Sequence, residues 1–182
     1  MIRELGHIKK SSAKGNIVNH ELTQEAISLG CLNAKVILTK TISLGSWNKL
    51  QCQYGCPFYA KRLTCPPYSP VVDEMAHILS DYDHALIIET PSAKQSREIG
   101  LALEANFKCK GFHKAFALSA LPCDLCEVCS FETGCKYPTK ARPTLYACGI
   151  DVKQTVFNNG WNVASNMQPC TETLPIGMVL IN

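Results

Sequence analysis

Along this chain the spacing of apolar residues switches between a helical period of about 3.6 and a strand period of about 2, and each switch marks an element. Glu21 to Leu29 carries a short helical pattern that stops at Gly30, and Ala34 to Ile42 (AKVILTKTI) is β-branched and alternating enough for a strand. Ser69 followed by Pro70 reads as an N-cap and a first helical residue, with Asp73 and Glu74 in the first turn, where the helix dipole favours negative charge. Val71, Met75, Ile78, Leu79 and Tyr82 then form one apolar stripe over 71–82. The continuous apolar centre of His84 to Glu89 (HALIIE) predicts a strand buried on both faces, as in a parallel sheet. Pro91-Ser92 opens a helix over 94–110 whose Ile99, Leu103 and Phe107 recur every four residues, and Gly111 supplies a left-handed stop. Lys114 to Ser119 and Ile176 to Ile181 predict two more strands. Between them Pro143 can begin a short helix ending near Gly149, and Asp151 can cap another carrying Val152 and Val156. The expectation is an α/β fold with a single sheet of about four strands, packing helices, and two cysteine-rich loops leaving strand ends.

Composition narrows the class. With 182 residues and 46% hydrophobic content the chain can bury one sizeable core, which predicts a single domain with residues 1–20 as a loosely attached N-terminal segment. The net charge of +3 is mild and the basic residues are spread without a stripe, which argues against nucleic-acid binding. The N-terminus MIRELGHIKKSSAKG lacks the apolar stretch of a secretory signal, and no run approaches the roughly 20 apolar residues that cross a bilayer. A cytoplasmic protein without membrane contact is expected.

Eleven cysteines in a reducing compartment are not a disulfide framework, so their expected role is holding metal. Cys123, Cys126, Cys129 and Cys135 lie in CDLCEVCSFETGCKYP, a C-x2-C-x2-C run closed by a fourth cysteine after a bend at Gly134. Three thiolates at two-residue gaps suit the corners of a 4Fe–4S cubane; zinc, the alternative, is usually held by two separated C-x2-4-C hooks and fits a triple hook less well. Cys52, Cys56 and Cys65 in CQYGCPFYAKRLTCPP give a second, three-ligand group, so the chain can hold one or two clusters. Either a fourth ligand arrives from elsewhere or one metal position stays open, and Cys135 can serve either group. Cys31, Cys109, Cys148 and Cys170 read first as small buried hydrophobes, with a remote ligand among them still possible.

The order KLQCQYGCPFYAKRLTCPPYSP, FKCKGFHKAFALSALPCDLCEVC, GCKYPTKARPTLYACGIDV and a terminal GMVLI strand resembles the domain-of-unknown-function family of predicted metal-binding proteins common in anaerobic bacteria and archaea. The likeness covers about residues 20 to 182. It implies metal binding, iron–sulfur above all, through Cys52, Cys56, Cys65, Cys123, Cys126, Cys129 and Cys135, and it supplies no reaction. Members of that family often have Glu-Ala in place of Tyr146-Ala147 and lack a cysteine at 148, so the resemblance gives Cys148 no ligand role.

Weaker signals complete the set. Arg142, before Pro143, can join backbone N–H groups in holding an anion near the downstream group, against a reading as a salt-bridge residue. His77 and His113 are possible donors to a cluster, and Tyr54, Tyr59 and Tyr68 are expected to shield the upstream group from water. No glycine-rich phosphate loop, nucleophile elbow or HExxH motif occurs. Three function classes follow: an electron carrier that docks a redox partner protein, an enzyme using the three-cysteine centre as an open-site Lewis acid or sulfur-handling cofactor, and a structural zinc module. The two cysteine groups are expected to be neighbours, on the argument that α/β topology gathers loops at one end of the sheet.

Overall fold

The computed structural model describes residues 18–161 and 174–182, so Cys170 and most of the 1–20 segment lie outside the described residues. Strands β1 (Asn33–Leu38), β2 (His84–Glu89), β3 (Phe116–Leu118) and β4 (Ile176–Leu180) form one sheet in the order β1-β2-β4-β3. Every neighbouring pair is antiparallel; Val36 lies opposite Leu86, and Leu86 opposite Val179. The chain is thus α/β with a single four-stranded sheet, but the parallel pairing inferred from β2 is wrong. Its premise holds, since Ala85, Leu86, Ile87 and Ile88 are all fully buried. The inference from burial to parallel strands fails because helices here cover both faces of an antiparallel sheet.

One face packs Leu86, Ile88 and Val179 against Leu22 and Ala26 of helix α1 (residues 18–28) and Leu103 and Phe107 of α4 (Gln95–Cys109). Gly100 lets α4 approach closely: a Cβ there would stand 3.3 Å from the Ala117 Cβ. The other face packs Ile37, Ala85, Ile87, Met178 and Leu180 against Met75 and Leu79 of α3 (Val72–Ser80), Val152 and Val156 of α5 (Val152–Asn158), and Leu145, Cys148 and Ile150 of the intervening segment. The remaining helix, α2 (Asn48–Gly55), lies outside this core and carries Cys52.

Several local expectations hold with trimmed ends. The first strand stops at Leu38, where a 3-10 turn over Thr39–Thr41 replaces its predicted extension to Ile42. Gly111 takes φ +96 after α4, and Asp151 caps α5 by accepting from the Gln154 N–H at 3.0 Å. The cap at α3 differs from expectation. The N-cap residue is Val71, whose backbone N–H is satisfied by Glu74 at 3.0 Å; Val71 itself is exposed and drops out of the predicted stripe. Ser69 is instead buried and gives its hydroxyl to the Ala147 carbonyl at 2.7 Å, a long-range demand that no local pattern encodes.

A buried ion pair fastens the far edge of the sheet. Glu104 on α4 accepts from Arg142 Nε at 2.8 Å and Nη2 at 2.7 Å, from Lys108 at 2.6 Å, and from the Ala117 N–H on β3 at 2.8 Å. Burial alone would raise the Glu104 pKa, but the hydrogen bonds from Arg142, Lys108 and Ala117 outweigh it and hold the carboxyl below the usual range. Replacing Glu104 by Ala leaves the Arg142 guanidinium buried without its counter-charge, which should cost about 3–5 kcal/mol. Urea unfolding should show a lower midpoint at an unchanged slope. Because the folded pKa is depressed, this stabilisation is full above the ordinary glutamate range near about 4.3 and is lost as pH falls through the folded value. The stability gap between wild type and Glu104→Ala should therefore narrow on acidification; a gap independent of pH would contradict the assignment.

Candidate metal centre

The upstream group is built from a helix end and the turns that follow it. Cys52 lies in α2 and its carbonyl accepts from the N–H of Cys56, the residue that ends the helix, so the first two cysteines sit on a helix terminus rather than in the expected open loop. The chain then folds back through Ala60, which takes φ +56 and bonds its N–H to the Pro66 carbonyl at 2.9 Å. Cys65 follows, buried, with its carbonyl accepting from Tyr68 and Ser69 N–H groups at 2.9 and 3.1 Å. Burial first, then the nearby Cys56 and Cys52, push the Cys65 thiol up to about 11, against the opposing pull of the Thr64 hydroxyl and the Arg62 guanidinium. Burial and Cys56 raise Cys52 in the same direction.

The downstream group occupies the irregular chain that leaves β3. Cys123 is buried, Cys126 and Cys129 are half-buried, and Cys135 is exposed one residue beyond Gly134, which bends at φ +80 as its position predicts. Burial raises the Cys123 thiol; a hydrogen bond from the Leu125 backbone and the Arg97 charge oppose it, while Cys129 and Cys135 add to it. Cys135 closes this same stretch of chain.

The two groups are neighbours. Arg62, three residues before Cys65, gives its Nη1 to the carbonyls of Cys126 at 2.8 Å and Glu127 at 3.0 Å, and its guanidinium lies 5.5 Å from the centre of the Phe58 ring. Tyr68 packs on Phe131 with ring centres 5.0 Å apart, a second bridge between the same segments. The reason is not the one expected. In the antiparallel order β1 and β3 point in opposite directions, so their ends do not gather on one side. The segment after the downstream loop makes the connection: Ser119 N–H bonds to the Pro143 carbonyl, Leu44 forms a bridge with Ile150, and Gly45 N–H bonds to the Gly149 carbonyl.

The donor set consists of thiols, which suits a soft metal. Arg62 Nε and Thr64 Oγ1 both flank the upstream sulfurs and are buried; Arg62 Nε has no hydrogen-bond partner, and the Thr64 hydroxyl has none except the Cys65 sulfur beside it. Donors left over beside thiolates fit a metal–sulfur centre, whose sulfurs accept such bonds. Among the described residues, no three Cys, His, Asp or Glu side chains converge as a single metal ion requires.

Other predicted participants fall elsewhere. Arg142 gives Nε and Nη2 to Glu104 and Nη1 to the Ala141 and Pro138 carbonyls, so its guanidinium is engaged internally. His77 and His113 are exposed, on α3 and in the turn after α4. Tyr54 at 78% and Tyr68 at 51% exposure stand on the rim and do not shield the sulfurs as expected; Tyr59 is half-buried. Cys31 is buried in the α1–α4 core, whereas Cys109, read as a buried hydrophobe, is exposed at the end of α4. Sequence reasoning missed Arg62 altogether, since an arginine between two cysteines carries no pattern of its own.

A family model described as "Predicted metal-binding protein (DUF2284)" matches residues 35–181. No curated protein and no solved structure matches the chain.

The thiol environments set an order of reactivity. In metal-free, reduced protein at pH 8, exposed Cys109 and Cys135 should be alkylated first, and Cys65 and Cys148, held up at about 11 and about 12, last. A raised pKa keeps the thiol neutral, so these slow rates should climb about tenfold per pH unit until the folded pKa is reached. Mass-spectrometric labelling that finds Cys148 as fast as Cys109 would contradict this picture.

Proposed function

Because the chain belongs to this family of predicted metal-binding proteins, which its match over residues 35–181 shows, we propose that it is an iron–sulfur protein holding two centres side by side as a redox adaptor. The observation that carries this reading is the Arg62 guanidinium, which joins the backbone of one cysteine group to that of the other. Bound clusters of the 4Fe–4S type supply reversible one-electron chemistry. Residues of this chain do the rest: Cys52, Cys56 and Cys65 hold one centre and Cys123, Cys126, Cys129 and Cys135 the other. Arg62 fixes their spacing and places positive charge between two anionic groups, and Arg62 Nε and Thr64 Oγ1 have hydrogen bonds left to give to sulfur.

The surface around the cysteines supports a protein partner. Leu50, Tyr54, Phe58, Tyr68, Val128 and Phe131 are all exposed on the segments that carry the two groups. Aromatic and aliphatic side chains of this kind make the apolar centre of transient interfaces. A redox partner protein docking there would give or take one electron through a short path. Among the described residues, no helix is long and apolar enough to cross a membrane.

The enzyme reading asks for a pocket of convergent polar groups beside Cys52, Cys56 and Cys65. A groove of about 670 Å³ lies elsewhere, lined by Arg97 and Lys108 of α4 and by Lys140, and reaches the downstream loop at Leu125. Most of its charges are already paired, Arg97 with Asp124 and Lys108 with Glu104. That groove does not adjoin Cys52, Cys56 or Cys65 and lends the enzyme reading no support. The zinc module is disfavoured by the C-x2-C-x2-C run, because zinc is usually held by two separated C-x2-4-C hooks and fits a triple hook less well.

Protein purified anaerobically should contain iron and acid-labile sulfide in equal amounts, and Cys126→Ser should lose the downstream share, since a hydroxyl is a poor substitute for a soft thiolate. Full occupancy by zinc with no labile sulfide would refute the reading.

A further inference from the structure

We infer that Cys148 is the fourth sulfur ligand of the upstream centre, closing the set begun by Cys52, Cys56 and Cys65 from its buried side. The inference rests on the iron–sulfur reading above and goes against the expectation that Cys148 has no ligand role.

The geometry comes from backbone ties on both sides of this residue. Cys148 ends the 3-10 helix Tyr146–Cys148, and α2, the helix of Cys52, packs against that turn. One residue before it, the Ala147 carbonyl accepts the buried Ser69 hydroxyl at 2.7 Å, while the Ser69 N–H bonds to the Cys65 carbonyl at 3.1 Å. The turn that presents Cys65 is thereby hooked onto the neighbour of Cys148. On the other side, Gly45 N–H bonds to the Gly149 carbonyl at 2.8 Å and Asn48 Nδ2, at the start of α2, to the Ile150 carbonyl at 2.9 Å. Gly149 takes φ +75 against Val72, where a Cβ would come within 2.4 Å of Val72 Cγ2, so the turn has no room to slide. Both segments that carry the other three cysteines are pinned to the residues flanking Cys148.

Cys31 is buried too, but in the α1–α4 core on the opposite face of the sheet, away from the segments that carry the other three cysteines. Cys148 has no exposed surface, while Cys52 and Cys56 are half-buried. A centre seated here lies between a surface helix and the core, with half-buried Cys52 and Cys56 toward solvent and buried Cys65 and Cys148 beneath. With four sulfurs no coordination position is left open, as in closed rather than catalytic sites. The adaptor reading gains from this, because a saturated centre exchanges electrons without binding substrate.

The test uses full-length protein reconstituted anaerobically with ferrous iron and sulfide, comparing wild type with Cys148→Ala, Cys148→Ser and the exposed-site control Cys109→Ser. Wild type and control should hold the same iron and sulfide; each Cys148 variant should lose about half of both, with the upstream spin-resonance signal missing or altered. Full iron and an unchanged spectrum in Cys148→Ala would overturn the inference while leaving the cluster reading intact. Failure of wild type to take up iron and sulfide would defeat both. If the variants do not fold, wild type decides the question. Brief ferricyanide oxidation should leave its iron content unchanged when every iron has a protein sulfur. Release of one iron per upstream cluster, with a three-iron signal, would show an open corner and exclude Cys148.

Discussion

Glu104 and Arg142 meet inside the protein through two parallel hydrogen bonds, and this pair fixes where the chain re-enters the fold after its longest irregular stretch. A planar guanidinium matched to a carboxylate in a dry setting tolerates little displacement. From Arg142 onward the chain lies along one face of the sheet, with Leu145, Cys148 and Ile150 in the core. Both cysteine groups are attached to that strip. The downstream loop ends on it, the approach to α2 is bonded to Gly149 and Ile150, and the turn after Cys65 is bonded to Ala147. A hydrophobic strip that must be buried for the fold to close thus becomes the platform on which two separate stretches of sequence meet.

Local chemistry was readable wherever one segment contains its own answer. The apolar run Ala85–Ile88 marks a buried strand, the Leu103 and Phe107 stripe marks the face of α4, Gly111 marks its end, and Asp151 marks a cap, all by short-range rules. Long-range partners overrode the rest. Ser69 has the right chemistry for an N-cap, but Ala147 claims its hydroxyl. Strand direction was misread because burial on two faces depends only on what covers the sheet. Helices α1 and α4 on one side and α3 and α5 on the other do for antiparallel strands what crossover helices do for parallel ones.

The metal site divides in the same way. Seven cysteines in two spaced runs announce their chemistry through donor type and spacing, and the segments that carry the two runs lie side by side. Their proximity was expected for a reason that does not apply to this sheet. What joins them, Arg62 on the Cys126 and Glu127 carbonyls and Tyr68 on Phe131, depends on side chains separated by some sixty residues in sequence. Tyr54 and Tyr68 are exposed, and in the proposed reading they belong to the surface that a redox partner would meet. In the proposed iron–sulfur reading, positive charge between two electron-rich centres raises the potential at which each accepts an electron, so Arg62 would couple position and redox tuning in one group.

The account stands on two iron–sulfur centres sharing one site across the Arg62 bridge. Low-temperature electron spin resonance of the fully reduced, anaerobically prepared protein tests this most directly, because two reduced clusters held close together couple magnetically. The expected result is a broadened, split spectrum in wild type that collapses to a simple single-cluster signal when either cysteine group is removed. Two sharp, additive signals with no sign of interaction would place the centres apart and contradict the shared site.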